Sequence, residues 1–262
     1  MIVVKVGGSE GINYDYVVRD LVRYKEVVLV HGGSHELDEL SAKLGNPPQI
    51  ITSPSGIISR RTDRKTLEIF TMVYCGKMNK MIVEKLQGLG INAVGLSGMD
   101  GRLLVGKRKD VIIWEKGKRK ILRNDYTGTI EKVNVGLLQL LLQNGFLPVI
   151  SPPALSRENE TINVDGDRAA AMIASTLKAD VLVILSNTPG LLRDPKDEKS
   201  LIKKVERESR EEAMEVAQGR MKKKVMGACD ALERGVTKVV LGDARIENPI
   251  TRALAGEGTV FQ

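Results

Sequence analysis

Apolar residues along the chain fall into short runs that alternate with segments of helical periodicity. Six of these runs are rich in valine, isoleucine and leucine, as expected of strands covered on both faces of a sheet, and they span 2–6, 27–30, 93–96, 147–150, 181–185 and 236–241. Helical patterns lie between most of them, over 35–44, 65–89, 135–144, 168–178 and 210–217. Because strand and helix alternate at this spacing, we predict an α/β fold: a three-layer αβα sandwich around a mainly parallel sheet.

Residues 102–122 depart from this alternation. The apolar runs 103–105 and 111–114 are separated by basic, glycine-containing turns, and this pattern predicts an antiparallel hairpin that stands off the sheet. Ser209 and Glu212 have the spacing of a capping box at the start of the helix over 210–217. No internal repeat or low-complexity linker divides the chain. By position alone, we place a boundary between two lobes near residues 174–179.

The composition is that of a packed globular protein. Hydrophobic residues make up 42% of the 262 residues, enough for one large α/β domain or two fused lobes. No stretch reaches the ~18–20 apolar residues of a membrane span, and the N-terminus shows a strand pattern instead of a basic and apolar leader. We therefore expect a cytoplasmic protein that does not bind membranes. Cys75 and Cys229 are isolated and only two histidines are present, so we expect neither a disulfide nor a metal site.

The formal net charge of +7 indicates an anionic partner. Aromatic residues account for only 3% of the chain, too few for base-stacking platforms, and we find no nucleic-acid-binding motif. Nucleic acid is therefore not an expected partner. An acidic small molecule or an acidic protein explains the charge better.

A lysine within the first strand pattern provides the first candidate chemistry. Lys5 interrupts an apolar run that ends at Gly7 and Gly8, and burying a lone ammonium costs several kcal/mol, roughly, unless an anion compensates it. The second strand pattern ends in a similar turn at Gly32 and Gly33. Two strand–Gly–Gly–helix junctions would aim backbone N–H groups and helix N-termini at one phosphate. The alternative for Lys5 is a side chain that extends to solvent from an edge strand.

Two further polar clusters follow. Asn163, Asp165 and Asp167 alternate immediately before an alanine-rich helix pattern, so they share one face of the chain or line one turn. Helix capping would explain Asp165 or Asp167 singly, but not all three in alternation. The segment 219–225 contains three consecutive lysines that end at Lys224, and its alternative interpretation is a solvated basic helix face.

Together these segments resemble the amino acid kinase family. The resemblance lies in an ordered set of motifs that spans nearly the whole chain: Lys5 to Gly8, His31 to Ser34, Tyr126 to Asn134, Asn163 to Ala170, Ser186 to Leu192 and Gly219 to Lys224. Within the family the chain is most similar to the acetylglutamate kinase branch. This resemblance implies an ATP-dependent carboxylate kinase, a homodimer, an N-terminal lobe over 1–175 for the amino acid and dimerisation, and a C-terminal lobe over 176–262 for ATP.

The resemblance also implies roles for individual residues. Lys5 and Lys224 would neutralise charge on the transferred phosphoryl group, and Asp167 would hold both lysines. The glycines of the two turns would bind phosphate, and Gly33, Arg60 and Asn163 would bind the substrate, although Arg61 is close enough to compete with Arg60 for that position. The remaining implied contacts border the nucleotide: Ser186, Asn187, Gly190 and Leu192.

Phosphoryl transfer agrees with this set because it depends on positioning and charge neutralisation more than on a strong base. A carboxylate acceptor is already ionised at pH 7, so no general base is required. The resemblance implies that Mg²⁺ bridges the β- and γ-phosphates of ATP, mostly through water and phosphate oxygens.

Extra cations beside the substrate position distinguish one branch of the family. Arg61, Arg64 and Lys65 lie next to Arg60, and the surrounding segment resembles kinases that phosphorylate α-aminoadipate or glutamate attached to the acidic carrier protein LysW, in lysine or arginine biosynthesis. The alternative is that these cations are ordinary exposed residues at a helix start. Two other functions remain open: an acetylglutamate kinase acting on free N-acetylglutamate, and a non-catalytic nucleotide-binding protein. The sequence does not decide between aminoadipate and glutamate.

Overall fold

The computed structural model describes residues 1–54, 58–115 and 118–262. The strands, in chain order, are β1 Ile2–Val6, β2 Val27–His31, β3 Ile50–Thr52, β4 Ile58–Arg60, β5 Ala93–Ser97, β6 Leu104–Arg108, β7 Val111–Glu115, β8 Lys118–Leu122, β9 Gly128–Val133, β10 Leu147–Ser151, β11 Ala154–Ser156, β12 Thr161–Ile162, β13 Val181–Ser186, β14 Lys204–Val205, β15 Lys238–Asp243 and β16 Thr259–Phe261. The α-helices are α1 Tyr14–Leu21, α2 Ser34–Lys43, α3 Arg64–Thr71, α4 Asn79–Gly88, α5 Val135–Gln143, α6 Gly166–Leu177, α7 Arg210–Val216, α8 Gly219–Glu233 and α9 Pro249–Leu254. Short 3₁₀ turns cover Asp100–Arg102, Glu198–Ser200 and Arg207–Ser209.

An eight-stranded sheet forms the centre of the molecule, in the order β14-β16-β15-β13-β1-β2-β10-β5. Its pairs are parallel except for β15 with β16. All six predicted strands belong to this sheet, and the last begins two residues later than its pattern suggested. The central strand β1 places Lys5 between Val30 of β2 and Ile184 of β13. Lys5 is therefore in the middle of the sheet, so the edge-strand alternative is wrong.

Alternate residues of each strand supply two separate cores, one on each face of the sheet. Val3 and Ile184 face α6 and α8, whereas Val4 and Leu185 face α1, α4 and α9. This arrangement confirms the predicted αβα layers. By the strand period of two, Lys5 follows Val3 onto the face that α6 and α8 cover.

The predicted hairpin over 102–122 is partly wrong. The first of its runs, β6, pairs with β9 and β11 in a separate four-stranded sheet, β12-β11-β6-β9. The second, β7, forms an antiparallel hairpin with β8 instead. A basic residue and a glycine join β7 to β8 in the sequence, and this connection, 116–117, lies outside the described residues. The two apolar runs are close in sequence but pair with different strands, because strand pairing depends on the neighbouring strands as well as on the hydrophobic pattern.

Local details of the helices also differ from the sequence pattern. The helix predicted over 65–89 contains a π-helical segment, Met72–Met78, between α3 and α4. Helix α7 begins at Arg210 as predicted, but the Ser209 side chain makes no capping hydrogen bond, so the capping box is wrong. Asp165 caps α6 by accepting hydrogen bonds from the N–H groups of Asp167 and Arg168. The capping alternative therefore holds for Asp165 and fails for Asp167.

Candidate active site

A cavity of about 650 Å³ opens at the carboxyl ends of β1, β2 and β13. Parallel α/β sheets commonly bind ligands at this edge. Most of the residues that the sequence analysis singled out line this cavity: Lys5, Gly7, Gly8, Gly32, Arg60, Asn163, Asp167, Ser186, Asn187, Gly190, Leu192 and Lys224. Gly33, Arg61, Arg64 and Lys65 are not part of the lining.

Three helices begin at the cavity wall. The first residues of α2, α6 and α8, namely Ser34, Gly166 and Gly219, all contribute to the lining. A helix N-terminus carries a partial positive charge and exposes unpaired N–H groups, so it stabilises anions. The cavity therefore favours a polyanionic ligand even before its lysines are considered.

Two lysines contact one carboxylate inside the cavity. Lys5 Nζ lies 2.7 Å from Asp167 Oδ1, and Lys224 Nζ lies 3.1 Å from Asp167 Oδ2. All three side chains are nearly buried, with at most 12% of their surface exposed. They come from β1, α6 and α8, and they meet because the face of β1 that carries Lys5 is the face against which both helices pack.

The electrostatics of this cluster leave it positive. Burial alone would raise the pKa of Asp167, but Lys224 and Lys5 hold it below its ordinary value, so Asp167 stays ionised. Burial, together with repulsion from Lys5, lowers the pKa of Lys224, and the attraction of Asp167 opposes both. Two ammonium groups share a single carboxylate, and the surplus positive charge is available to an incoming phosphoryl group.

The two glycine turns pack directly against each other beside the lysines. A Cβ atom on Gly8 would lie 2.0 Å from the Gly33 nitrogen, and one on Gly32 would lie 2.7 Å from the Gly8 nitrogen. The Gly8 carbonyl accepts hydrogen bonds from the His35 N–H at 2.7 Å and from the Ser34 hydroxyl at 2.9 Å. Backbone this close leaves no space for side chains, which explains why glycine is required at both turns.

Arg60 is a further cation of the cavity lining. Its guanidinium pairs with Asp38, and its side chain is only 14% exposed. Tyr74 lies beside it: burial raises the pKa of Tyr74 to about 12, against the opposing effects of the Arg60 guanidinium and the Gly33 N–H. Phe70 packs on Tyr74 with ring centroids 4.2 Å apart. Arg60 thus presents a cation within a partly aromatic pocket.

Asn163 is tied to the same end of the cavity. Its side-chain amide donates to the Thr62 hydroxyl at 2.9 Å, and the Thr62 N–H donates to Asp125 at 2.9 Å. Thr62 follows Arg60 by two residues, so this bond holds Asn163 and Arg60 in register. The neighbouring Arg61 instead contacts Gln49 at 3.1 Å, outside the cavity. The ambiguity between Arg60 and Arg61 is therefore resolved in favour of Arg60 as the cavity residue.

The loop after β13 also borders the cavity, and the sequence analysis assigned this loop to the nucleotide. Gly190 has a φ of 157°, and a Cβ there would lie 2.6 Å from the Thr259 hydroxyl. That hydroxyl also accepts a hydrogen bond from the Leu191 N–H at 2.8 Å. Asn187 donates to the Glu10 carbonyl at 3.2 Å, which joins this loop to the turn after β1.

The remaining predicted cations lie on the outer surface. Arg64 is 62% exposed and pairs with Glu68 at 3.0 Å, and Lys65 is also exposed. Both begin α3, only a few residues after Arg60. Their placement suits contact with a large partner outside the cavity better than contact with a small molecule inside it.

The sequence analysis missed several residues that shape the site. Asp38 pairs with Arg60 and orients its side chain. Tyr74 packs against Phe70 and lines the pocket beside Arg60. Tyr14 and His31 contact the glycine turns from behind. Asp38, Tyr74 and Tyr14 belong to no local chemical motif. His31 begins the motif 31–34, but only the fold shows that its side chain contacts the turn.

The described ranges, with their gaps at 55–57 and 116–117, contain no group of three histidine, cysteine, aspartate or glutamate side chains placed to hold a metal ion. Within the same ranges, no helix has the length and apolar character needed to cross a bilayer.

Comparison with known proteins gives consistent results. The amino acid kinase family model matches residues 1–243. The [LysW]-aminoadipate kinase of Thermus thermophilus is 58% identical over 269 residues, covering 100% of both chains, and that of Deinococcus radiodurans is 60% identical over 265 residues, covering 99% of this chain and 91% of its own. Among solved structures, N-acetylglutamate synthase from Neisseria gonorrhoeae superposes with a TM-score of 0.80 at 24% identity, over 99% of this chain and 58% of that one. This last likeness is one of fold.

Proposed function

The chain belongs to the amino acid kinase family, and we propose that it transfers the γ-phosphoryl group of ATP to the side-chain carboxylate of α-aminoadipate, or of glutamate, attached to the acidic carrier protein LysW. The product is an acyl phosphate in lysine or arginine biosynthesis. The observation that carries the proposal is the pair of buried lysines on Asp167, in the same cavity as Arg60. The names of two relatives about 60% identical over nearly the whole chain support the substrate.

The reaction forms one bond and breaks one. An oxygen of the acceptor carboxylate attacks the γ-phosphorus, and the bond to the oxygen that bridges the β- and γ-phosphates breaks, releasing ADP. Negative charge spreads over the equatorial oxygens in the transition state. Lys5 from β1 and Lys224 from α8 would neutralise that charge, and their shared contact with Asp167 supports this role.

Asp167 does not exchange a proton in this mechanism. The two lysines lower its pKa, so it remains a carboxylate, and its two oxygens fix both ammonium groups before substrate arrives. Preorganised charge of this kind avoids the cost of reorienting groups during the reaction. Asp167 therefore orients the two catalytic cations.

ATP-dependent kinases use Mg²⁺, and the cavity is compatible with it. Both oxygens of Asp167 face lysines, and Asp165 accepts hydrogen bonds from the first turn of α6. The ion would consequently be held mainly by phosphate oxygens and water, and Asp165, which also lines the cavity, would be available to orient that water. When bound, Mg²⁺ supplies charge neutralisation on the β- and γ-phosphates.

The acceptor would bind at the Arg60 end of the cavity. Arg60 would bind the α-carboxylate of the aminoadipate or glutamate, with Asn163 beside it, and the side-chain carboxylate would remain available as the phosphoryl acceptor. A carrier attached to the amino group would then lie outside the cavity, where Arg64 and Lys65 are exposed and Arg61 adds a further cation. Positive charge at this position favours an acidic partner.

Two further features belong to the proposal. We place acceptor binding in an N-terminal lobe of residues 1–175 and ATP binding in a C-terminal lobe of 176–262. In support, the cavity lining includes Arg60 and Asn163, which precede this boundary, and Ser186 and Lys224, which follow it. We also propose a cytoplasmic homodimer, which the family resemblance implies.

An acceptor comparison tests the function. The purified protein is incubated with Mg·ATP and one of three acceptors: LysW–aminoadipate, LysW–glutamate or free N-acetylglutamate. The acyl phosphate is trapped as a hydroxamate, and ADP release is measured in parallel. We expect turnover with at least one carrier-linked acceptor and little with N-acetylglutamate. Efficient turnover of N-acetylglutamate without carrier-linked turnover would instead identify an acetylglutamate kinase.

A further inference from the structure

A tyrosine hydroxyl bridges the two glycine turns from the side away from the cavity. Tyr14 is the first residue of α1, and Asn13 caps that helix by accepting hydrogen bonds from Asp15 and Tyr16. The Tyr14 hydroxyl lies 2.7 Å from the Gly7 carbonyl oxygen and 3.3 Å from the Gly32 carbonyl oxygen. One side chain thus contacts both turns, although Gly7 and Gly32 are 25 residues apart in the sequence.

The orientation of these two carbonyls fixes two N–H groups. In a trans peptide the C=O and N–H bonds point in opposite directions, and the described residues contain no cis peptide. When the Gly7 carbonyl points to Tyr14, the Gly8 N–H must point away from it. The same holds for the Gly32 carbonyl and the Gly33 N–H. Gly8 lines the cavity, and the Gly33 N–H faces the Tyr74 hydroxyl at the cavity wall.

His31 supports the second of these peptides. It is fully buried, and its Nδ1 lies 2.9 Å from the Gly32 carbonyl oxygen. Because that partner is an acceptor, Nδ1 must carry the proton. Nε2 is then the acceptor, and the Asn79 amide, which also donates to the Val149 carbonyl at 2.9 Å, lies 3.2 Å from it. Asn79 therefore fixes the tautomer that donates to Gly32.

We propose that Tyr14 and His31 are positioning residues for phosphoryl transfer: from behind the glycine turns they hold the Gly7–Gly8 and Gly32–Gly33 peptide planes, so that the Gly8 N–H faces the transferred phosphoryl group and the Gly33 N–H holds the Tyr74 hydroxyl at the cavity wall. The inference rests on the proposed function, since it assigns the Gly8 N–H to the transition state of that reaction. Neither side chain contacts the reacting atoms, and both act through the backbone.

Replacing Tyr14 by phenylalanine tests the first contact. Tyr14→Phe keeps the ring and removes the hydroxyl, so the Gly7 carbonyl loses this partner and the Gly32 carbonyl keeps only its contact with His31. Losing one donor aimed at a developing charge costs about 100-fold or more in kcat. Because here the donor is loosened and not removed, we expect a fall of about tenfold in kcat. The KM values for ATP and acceptor should change less than about twofold, since the donors matter most in the transition state.

Tyr24→Phe is the matched control. Tyr24 follows α1, and its hydroxyl bonds the Thr251 hydroxyl of α9 at 2.8 Å instead of the glycine turns. Its kcat should equal that of the parent protein. In ¹⁵N-labelled protein, the amide resonances of Gly8 and Gly33 should shift in Tyr14→Phe and stay in place in Tyr24→Phe. A merely structural role for Tyr14 would lower the melting temperature without this pattern of kcat and amide shifts.

A second pair of variants tests His31 and does not depend on how well Tyr14→Phe folds. In asparagine the amide nitrogen is separated from Cα by the same number of bonds as Nδ1 of histidine, and in glutamine by the same number as Nε2. His31→Asn should therefore keep a donor for the Gly32 carbonyl, and His31→Gln should lose it. We expect clearly higher kcat in His31→Asn than in His31→Gln.

The outcomes separate this inference from the proposed function. No turnover of carrier-linked acceptor by the parent protein would contradict the function itself. If the parent is active, one result would overturn the inference: a kcat of Tyr14→Phe within twofold of the parent value, together with unchanged amide resonances of Gly8 and Gly33. Equal kcat in His31→Asn and His31→Gln would likewise show that His31 is not a positioning residue.

Discussion

Lys5 Nζ lies 2.7 Å from Asp167 Oδ1, although 161 residues separate the two in the chain. One group comes from the central strand and the other from the first turn of α6. Lys224 of α8 contacts the same carboxylate. The two ammonium groups and the one carboxylate together set the charge of the cavity.

Removing either lysine should lower the maximal rate more than substrate binding. Lys5→Ala and Lys224→Ala each delete a charge that matters most in the transition state. We expect kcat to fall by about 100-fold or more in each variant, measured as ADP release at saturating substrates. Lys222→Ala, two residues before Lys224 and outside the cavity lining, is the control and should keep the parental rate. A near-parental kcat in either alanine variant would contradict its assigned role.

Changing Asp167 to asparagine should misorient the lysines without removing them. Turnover should fall strongly, whereas the Kd for ATP, measured by calorimetry, should change little because both cations remain. The variant should also be less stable to urea, since removing one partner of a buried ion pair leaves uncompensated charge, at a cost of about 3–5 kcal/mol. Unchanged turnover would reduce Asp167 to a structural residue of α6.

Arg60→Gln should weaken binding of the acceptor specifically. A hydrogen bond to a charged group contributes about 1.5–3 kcal/mol, so we expect the acceptor KM to rise by at least tenfold, roughly, while the KM for ATP stays within twofold. Arg252→Gln is the control, because Arg252 is an exposed residue of α9 that pairs with Glu257 outside the cavity lining. An equal rise of acceptor KM in both variants would show that Arg60 has no special role.

Salt should affect the carrier-linked reaction. Screening shortens the range of surface charge to about 8–10 Å at physiological ionic strength, so kcat/KM for a LysW-linked acceptor should fall clearly as NaCl is raised. Arg64→Glu should reproduce that fall at constant salt without altering ATP affinity. Arg252→Glu, an exposed residue of α9 paired with Glu257, provides the control and should behave like the parent. A salt-independent kcat/KM would argue against electrostatic steering by these cations.

His31 should make the fold sensitive to mild acid. Burial lowers its pKa to about 4 from an ordinary value of 6.5, with a smaller lowering from Lys5 and Lys80 and an opposing effect of the Gly32 carbonyl. The unfolded chain therefore binds an extra proton between these values, and stability is lost as pH falls from about 6.5 to about 4. The loss is bounded at roughly 3 kcal/mol, because one pKa unit corresponds to about 1.4 kcal/mol.

The check is urea unfolding of the parent and of His31→Asn at several pH values. The free energy of unfolding of the parent should decrease across this window, and that of the variant should be flatter. Parallel curves for the two proteins would mean that His31 is not buried as a neutral group.

The sequence determined the elements whose signal is local. Runs such as 27–30 and 181–185 are apolar on every position, which is typical of strands buried on both faces, and the glycine pairs that end two strands marked the turns. The ordered motifs around Lys5, Asp167 and Lys224 were sufficient to indicate the family and the cations of the cavity. The boundary near residues 174–179 and the homodimer remain predictions.

Only the tertiary structure decided which side chain among close neighbours enters the cavity. Arg60 and Arg61 have the same chemistry in sequence, and the β3–β4 pairing turns one inward to Asp38 and the other outward to Gln49. Likewise Asp165 caps α6 while Asp167 holds the lysines, and Tyr14 reaches both glycine turns from a helix with no motif of its own. Hydrophobic period and turn chemistry are local properties of the chain, whereas the partner of a polar side chain depends on groups far away in sequence that only the packed fold brings within hydrogen-bonding distance.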